Sequence, residues 1–168
     1  MDITFAEISR MTLFRGFDEQ SIELLDLFFK DNAYPVDTMI VQQGVLQKRF
    51  FMLVAGEVEV QREIDGQILK IAEIQAGQFF GEINLFDPGV ATASVISLTP
   101  IKTLEISNDD FRTFITRRPD VAADFTFQLA QTIARRFRNN SGQSMEAEFN
   151  TPQAIELGQQ IDNNRMMA

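Results

Sequence analysis

Turn-forming residues recur at short, regular intervals through the middle of this sequence. Between residues 29 and 107, short β-branched or aromatic runs are separated by turn signals at Gly44, Gly56, Asp65-Gly66, Ala76-Gly77, Pro88-Gly89 and Pro100. Turn signals spaced roughly 8–12 residues apart are typical of a sandwich, jelly roll or barrel. This segment therefore predicts a compact antiparallel β-structure.

The clearest hairpin joins residues 58–64 to residues 67–72 through Asp65-Gly66. Valines alternate with polar residues along its first strand, as expected where one face of a strand is buried. Asp-Gly favours a type I′ turn because glycine tolerates a positive φ without steric cost. We expect a two-residue hairpin loop at this position.

Helical patterns flank the β-segment on both sides. Asp18 is a candidate N-cap for a helix that reaches Phe28, and Ser107 is a candidate N-cap for another. A longer helix begins near Pro119, which suits a first helical turn. Its apolar residues recur every four positions, at Val121, Phe125, Leu129, Ile133 and Phe137.

These patterns predict a mainly β fold with helices, a β-roll or jelly roll over residues 29–107 flanked by helices at 1–28 and 108–140. Residues 1–140 are the expected domain. Residues 141–168 are read as a polar tail, with one short helix starting at Thr151-Pro152.

Composition excludes several classes of site. The 168 residues contain no cysteine and no histidine, so thiolate nucleophiles, disulfides and histidine-ligated metal centres are absent. A net charge of −9 argues against a broad basic surface for nucleic acid or anionic lipid. Apolar runs are shorter than a membrane span, and the N-terminus lacks a signal-peptide pattern. We therefore expect a cytoplasmic protein that binds neither nucleic acid nor membrane.

One motif carries ligand chemistry. The run Gly77-Gln78-Phe79-Phe80-Gly81-Glu82-Ile83-Asn84-Leu85, followed by Ala93-Ser94-Val95, resembles the phosphate-binding cassette of cyclic-nucleotide-binding domains. The resemblance covers about residues 10–138. Other segments in family order are Leu13-Phe14, Gly44, Phe51-Met52-Leu53-Val54, Gly56-Glu57-Val58 and Leu104-Glu105-Ile106.

The resemblance implies a β-roll in which Gly-Glu opens a short helix. In the family the glutamate accepts a hydrogen bond from the ribose 2′-hydroxyl, while helix-start amides and an arginine hold the cyclic phosphate. The residues thereby implicated in ligand binding are Gly81, Glu82, Ile83, Asn84, Thr92, Ala93 and Ser94. Structural roles compete with this reading, because Glu82 is also a good helix-start residue and Thr92 and Ser94 are ordinary strand residues.

The sequence departs from the family pattern at the arginine. Counting back four residues from Val95 places Ala91 at that position, and no cation lies between Val90 and Thr92. A charge-assisted hydrogen bond contributes about 1.5–3 kcal/mol, so its loss weakens binding by about one to two orders of magnitude. We therefore expect cyclic mononucleotides to bind weakly.

Arginines on the long helix offer a second set of cations. Arg135, Arg136 and Arg138 could hold the phosphates or guanine edges of a cyclic dinucleotide such as c-di-GMP, or form a solvated helix end. On the same helix Phe127, Ala130 and Ala134 lie outside the repeating apolar stripe. This extra apolar surface predicts a homodimer through residues 119–138.

Two functional readings follow. The first is a non-catalytic signal-sensing module for a cyclic nucleotide or cyclic dinucleotide, with no cofactor. The second is a ligand-free dimeric adaptor that keeps the fold and presents its tail to an effector protein. An enzyme is disfavoured, because Glu57, Glu59 and Glu63 alternate along one strand face as solvated positions do.

Overall fold

Ten strands between residues 3 and 149 build two antiparallel sheets and a short ladder. They are β1 (Lys30–Tyr34), β2 (Met39–Val41), β3 (Leu46–Gln47), β4 (Arg49–Ala55), β5 (Glu57–Ile64), β6 (Gln67–Gln75), β7 (Phe79–Phe80), β8 (Gly89–Val90), β9 (Ser94–Ser97) and β10 (Ile101–Ser107). One sheet has the order β1-β10-β4-β7, the other β2-β9-β5-β6, and β3 pairs with β8. This is the expected mainly β fold.

Five helices accompany these strands in the described part of the chain. They are α1 (Phe5–Ile8), α2 (Glu19–Glu23), α3 (Glu82–Phe86), α4 (Asn108–Arg117) and α5 (Pro119–Phe149). The computed structural model describes the backbone of residues 3–149, and the side chains of residues 3–138 apart from Asp26. The chain divides into two compact units, Met1–Thr126 and Phe127–Ala168.

The hairpin expected at Asp65-Gly66 is confirmed. Strands β5 and β6 pair in register from Ile64 opposite Gln67, so two residues form the loop. Asp65 and Gly66 have φ values of 52° and 78°. Two successive positive φ angles are what a type I′ turn requires.

Capping residues set the helix boundaries as the sequence predicts. The Asp18 carboxylate accepts a hydrogen bond from the Ser21 backbone N–H at 2.8 Å, and the Ser107 hydroxyl accepts one from the Asp110 N–H at 3.0 Å. Helix α2 is shorter than expected, because the chain tightens into a 3₁₀ turn over Leu24–Leu27.

Helix α5 runs further than the sequence suggested. The polar stretch after residue 138 was expected to end it by about residue 140, whereas the helix continues to Phe149. Gly142 lies inside it, and a single glycine costs only about 1 kcal/mol relative to alanine without ending a helix. The short helix expected at Thr151-Pro152 lies outside the described residues.

Strand β4 is buried on both faces and separates two apolar clusters. On one face Phe50 packs against Phe125 of α5, at a ring-centroid distance of 6.2 Å. Phe125 is fully buried and also contacts the rings of Phe14, Phe29, Phe111 and Phe114. We call these six rings the aromatic cluster.

On the opposite face of β4, Phe51 stacks on Phe80 with centroids 4.8 Å apart and planes 8° from parallel. The surrounding buried residues come from both sheets and from the residue after β8. We call this set the roll cluster: Val41, Phe51, Leu53, Val58, Phe80, Ala91, Val95 and Ile101.

Candidate functional site

Gly81 fixes the start of the cassette helix. It is the N-terminal cap of α3 with a φ of 79°, a left-handed conformation that favours glycine. A Cβ at this position would lie 2.6 Å from the Arg49 carbonyl oxygen. The residue is therefore required both by its conformation and by the close approach of β4.

Beyond α3 the chain is tied to the β2–β3 segment. Leu46 lies opposite Val90 in the β3–β8 ladder. Hydrogen bonds extend the ladder by one residue, since the Ala91 N–H donates to the Val45 carbonyl at 2.9 Å and the Ala91 carbonyl accepts from the Gly44 N–H at 2.8 Å. Residues 89–91 are thereby held rigidly against residues 44–47.

Ala91, which stands where the resemblance places an arginine, belongs to an apolar environment. It is 6% exposed and packs within the roll cluster. The cassette sequence itself supplies no replacement cation, because residues 71–101 contain no lysine or arginine. The cassette's own charged residues are Glu82 and Asp87, both acidic.

The polar side chains expected to contact ligand differ in their availability. The Ser94 hydroxyl accepts a hydrogen bond from the Gln43 backbone N–H at 3.0 Å, so it already has a structural partner. Glu82 and Asn84 are half-buried and Thr92 is exposed. These three side chains form no hydrogen bond with any other described residue. The exposed Ile83 and half-buried Ala93 offer only apolar surface.

A buried amide that the sequence analysis missed braces the cassette. Asn108, which is 7% exposed, donates from Nδ2 to the Leu85 carbonyl of α3. Its Oδ1 accepts from Arg112 Nε at 3.2 Å, and its backbone N–H donates to the Lys48 carbonyl at 2.8 Å. One residue thus links the cassette helix, the turn before β4 and helix α4. In the sequence, Asn108 is one more polar residue after the Ser107 cap, and no pattern indicated that its side chain would be buried.

A cavity of about 270 Å³ lies beside the β3–β8 ladder. Residues 39–42 and 45–47 line it. Three of its apolar side chains are largely exposed, Met39 at 51%, Val45 at 50% and Leu46 at 61%. Across the ladder Val90 is 64% exposed. The surface beside this ladder is therefore uncharged, with exposed apolar side chains next to Gln42 and Gln47.

A second polar group missed in sequence lies on β10. The carboxylate of Glu105 is buried and accepts hydrogen bonds from the Tyr34 hydroxyl and the Thr103 hydroxyl, each at 2.7 Å, and from Arg49 at 3.2 Å. Burial and the adjacent Glu105 raise the pKa of Tyr34 well above its usual value. The network satisfies a buried charge, and its members come from three neighbouring strands.

The helix arginines belong to the unit Phe127–Ala168. Arg135 and Arg138 are exposed, and Arg136 is half-buried with a partner. They lie on α5, as expected. Their role in binding stays a prediction.

Two features now define the class: a β-roll between helices, and a glycine-capped helix set between two of its strands. Residues 32–118 match the family described as cyclic nucleotide-binding domain. The chain belongs to this family, which confirms the resemblance seen in the sequence.

Several proteins that are similar to this chain are named as regulators. The chain is 24% identical to a CRP-like cAMP-activated global transcriptional regulator of Mycobacterium tuberculosis, over 84% of this chain and 62% of that protein. It superimposes on the catabolite activator protein of Thermus thermophilus with a TM-score of 0.71 and 27% identity, covering 82% of this chain and 63% of the other. A c-di-GMP-responsive global regulator of Xanthomonas campestris shares the fold, with a TM-score of 0.68 and 20% identity over 80% of this chain and 66% of that one.

This chain spans less than two thirds of the length of each of these proteins. Because one is named a transcriptional regulator, the absence of nucleic-acid binding stays a prediction for the present chain. Within residues 3–149 no helix is long and apolar enough to cross a membrane. The same residues hold no cluster of three or more carboxylates that could bind a metal ion.

Proposed function

We propose that this chain is a non-catalytic, homodimeric regulatory module that reads a small signal molecule at its cassette and binds cAMP and cGMP only weakly. The observation that carries the proposal is Ala91. The residue keeps the backbone pairing of the cassette strand, yet its side chain lies in the roll cluster and offers no charge to a phosphate. On this proposal the backbone of the ligand site is retained, while the arginine that would hold the phosphate is absent.

Retention of the free polar side chains supports a sensor over a bare scaffold. Glu82, Asn84 and Thr92 form no hydrogen bond with other described residues, and Glu82 and Asn84 are half-buried while Thr92 is exposed, so their polar groups are available to a ligand. A ligand that hydrogen-bonds to them would satisfy these groups. The alternative is an adaptor in which the apolar packing around Ala91 has replaced ligand binding altogether.

A thermal-shift panel separates these two functions. The protein is titrated with cyclic mononucleotides, cyclic dinucleotides and nucleosides to about 1 mM, where mass action raises the melting temperature for any ligand that binds the folded state. A sensor is stabilised by at least one of these compounds. If none shifts the midpoint, the sensor function is wrong and the ligand-free adaptor remains.

A cyclic dinucleotide is a second candidate ligand, favoured by the exposure of Arg135 and Arg138 on α5. Guanidinium groups can pair with phosphate or, in a bidentate fork, with guanine O6 and N7. On this reading c-di-GMP stabilises the protein in the same panel, and the double variant Arg135→Ala, Arg138→Ala removes that shift. Equal shifts in the wild type and the double variant would contradict it.

The dimer is proposed from the apolar side of α5. Phe127, Ala130, Ala134 and Phe137 are separated by steps of three and four residues, which return to one face of a helix. Phe127 is 62% exposed and Phe137 is 73% exposed, and both alanines are exposed as well. The sequence placed Phe137 in the core stripe, but the structure shows it at the surface. A second copy of this helix would cover the face.

Light scattering tests the dimer directly. The wild type is expected to be dimeric at high micromolar concentration, and Phe127→Glu is expected to dissociate it because a charge would be desolvated in the seam. The matched control is Leu69→Glu, at a 45% exposed leucine on β6, which should stay dimeric. A monomeric wild type, or a dimer indifferent to Phe127→Glu, contradicts the proposal.

A further inference from the structure

Strand β6 is the longest edge strand in the described part of the chain. It has nine residues and ends the sheet β2-β9-β5-β6, where it pairs with β5. The other outer strands of the two four-stranded sheets, β1, β2 and β7, have five, three and two residues. Every second residue of an edge strand directs its N–H and C=O away from the sheet. β6 therefore presents a row of backbone donors and acceptors to a further strand.

The two edges of the β5–β6 hairpin differ where β9 ends. Strand β9 pairs with β5 as far as Ser94 opposite Gln61. Beyond that point the side chain of Gln43 replaces a strand: its Oε1 accepts from the Glu63 backbone N–H at 2.8 Å, and its Nε2 donates to the Glu63 carbonyl at 3.1 Å. Residues 67–74 form no backbone hydrogen bond with any described residue outside the β5 ladder. The β5 edge is thus closed here, whereas the β6 edge is open.

Large aliphatic side chains are exposed along this hairpin. They are Ile64 at 43%, Ile68 at 68%, Leu69 at 45% and Ile71 at 56%. Successive residues of a strand point to opposite faces, so Ile68 and Leu69 make both faces of the hairpin apolar. A strand that adds to this edge would bury apolar side chains as well as pair its backbone.

The features that normally protect an exposed edge are weak on β6. Edge strands discourage pairing with proline, charged side chains and bulges. β6 contains no proline, and its one lysine, Lys70, is paired with two carboxylates, Glu59 at 3.2 Å and Glu73. A register shift leaves Ile71 without an opposite residue on β5, but this bulged position carries an apolar side chain rather than a charge. The edge remains able to accept a strand.

The charge of the hairpin selects the sign of the partner. Residues 57–75 contain five acidic and two basic residues, a net charge of −3. One of the two basic residues is Lys70, which is already paired. Complementary charge favours the correct partner and like charge disfavours others, so a segment with lysine or arginine suits this edge.

We propose that the open edge of β6 is a docking site for an extended, basic segment of a partner protein, which adds a fifth strand to the sheet. Backbone hydrogen bonds along β6 align the segment, and its apolar side chains pack on Ile68, Leu69 and Ile71. This interaction surface lies on other elements than the cassette and the apolar side of α5. It goes beyond the proposed sensor function and does not depend on what the cassette binds.

The probe is a fluorescein-labelled peptide as long as β6, nine residues, that alternates valine with threonine and has lysine at both ends. Fluorescence anisotropy with the full chain should give a dissociation constant below about 100 µM. The same peptide methylated on all internal amide nitrogens has lost its donors along both edges, and should bind at least about tenfold more weakly. Glutamate in place of the terminal lysines should also weaken binding. That difference should shrink between about 0.1 M and 1 M salt, because the Debye length falls from about 10 Å to 3 Å.

Variants of the exposed side chains locate the docking site. Ile68→Lys combined with Ile71→Lys places two charges on the open edge, and should weaken peptide binding at least about tenfold. The matched control, Leu27→Lys combined with Val36→Lys, adds the same charges at side chains that are 73% and 46% exposed on other elements, and should bind as the wild type does. Amide hydrogen exchange should slow in residues 67–75 when the peptide binds, and stay unchanged in β1.

Several outcomes would overturn the proposal. They are a wild type that does not bind the peptide, binding that survives N-methylation, and binding that is equal in the β6 variant and the control. Light scattering tests for a different occupant: oligomers larger than a dimer that the β6 variant dissolves would show that β6 pairs with a second copy, so the partner-segment proposal would be wrong. These results leave the sensor function untouched, since the thermal-shift panel decides it separately.

Discussion

The two faces of β4 contact two different apolar clusters. One face holds Phe50 against the aromatic cluster, where large rings bury apolar area and need no particular partner chemistry. The other face holds Phe51 against the roll cluster, which includes Ala91. The first face serves the stability of the fold, whereas on the second we propose that a single residue, Ala91, leaves a phosphate without a counter-charge. On this proposal the family fold persists while its ligand chemistry changes.

The aromatic face should show the largest loss of stability. Phe125→Ala removes a fully buried ring that contacts five others, and is expected to lower the free energy of unfolding by about 3–5 kcal/mol. Urea denaturation measures this loss. Ile115→Ala on α4, where the side chain is 44% exposed, serves as the control and should lose less than about 1 kcal/mol. A loss from Phe125→Ala no greater than that control would contradict the proposed core.

A smaller effect should come from the backbone of the cassette. Gly81→Ala suffers both an unfavourable φ and a clash with the Arg49 carbonyl, whereas Gly66→Ala has a similar φ of 78° and open space around it. The left-handed conformation alone costs about 1–2 kcal/mol for a residue with a Cβ. Gly81→Ala should therefore be more destabilising than Gly66→Ala by at least about 1 kcal/mol in matched denaturation curves. Equal losses would mean that β4 yields readily and that the cassette is not rigidly held.

The smallest effect concerns the exposed ion pair at the start of α5. A hydrogen bond from Arg118 lowers the pKa of Asp120 to about 2. A depressed carboxyl pKa stabilises the fold above the unfolded-state pKa of about 4 and loses that contribution as the pH falls through the folded value. The wild type should thus exceed Asp120→Asn slightly in stability at neutral pH, with the difference disappearing between about pH 4 and pH 2. A difference that persists at pH 2 would show that the pair is not its source.

Local signals in the sequence were sufficient for the fold class and for several turns and caps. The Asp65-Gly66 turn and the Ser107 cap depend on residues a few positions apart, and both occur where the pattern placed them. Such features are readable because the backbone imposes them locally.

Features that depend on distant pairing could not be read in this way. Asn108 reaches a carbonyl 23 residues earlier in the chain, and Glu105 is satisfied by Tyr34 from another strand. The four-residue repeat also predicted that Phe137 is buried like Phe125, but Phe137 is exposed. Periodicity indicates which side of a helix is apolar, but not how far along the helix that side is buried. Likewise, the sequence shows that Ala91 stands where the family has an arginine, but only the structure shows that the neighbours of Ala91 are apolar.

The central claim is that this chain keeps the family fold but lacks the arginine that holds the cyclic phosphate. Calorimetric titration of the wild-type chain with cAMP and cGMP tests this claim most directly. Because Ala91 supplies no charge, both dissociation constants should exceed about 10 µM. Ala91→Arg, measured alongside, should bind cAMP more tightly if the guanidinium can leave the roll cluster for the ligand, and no gain indicates that the space is closed by packing. Dissociation constants below about 10 µM for either nucleotide with the wild type would contradict the central claim.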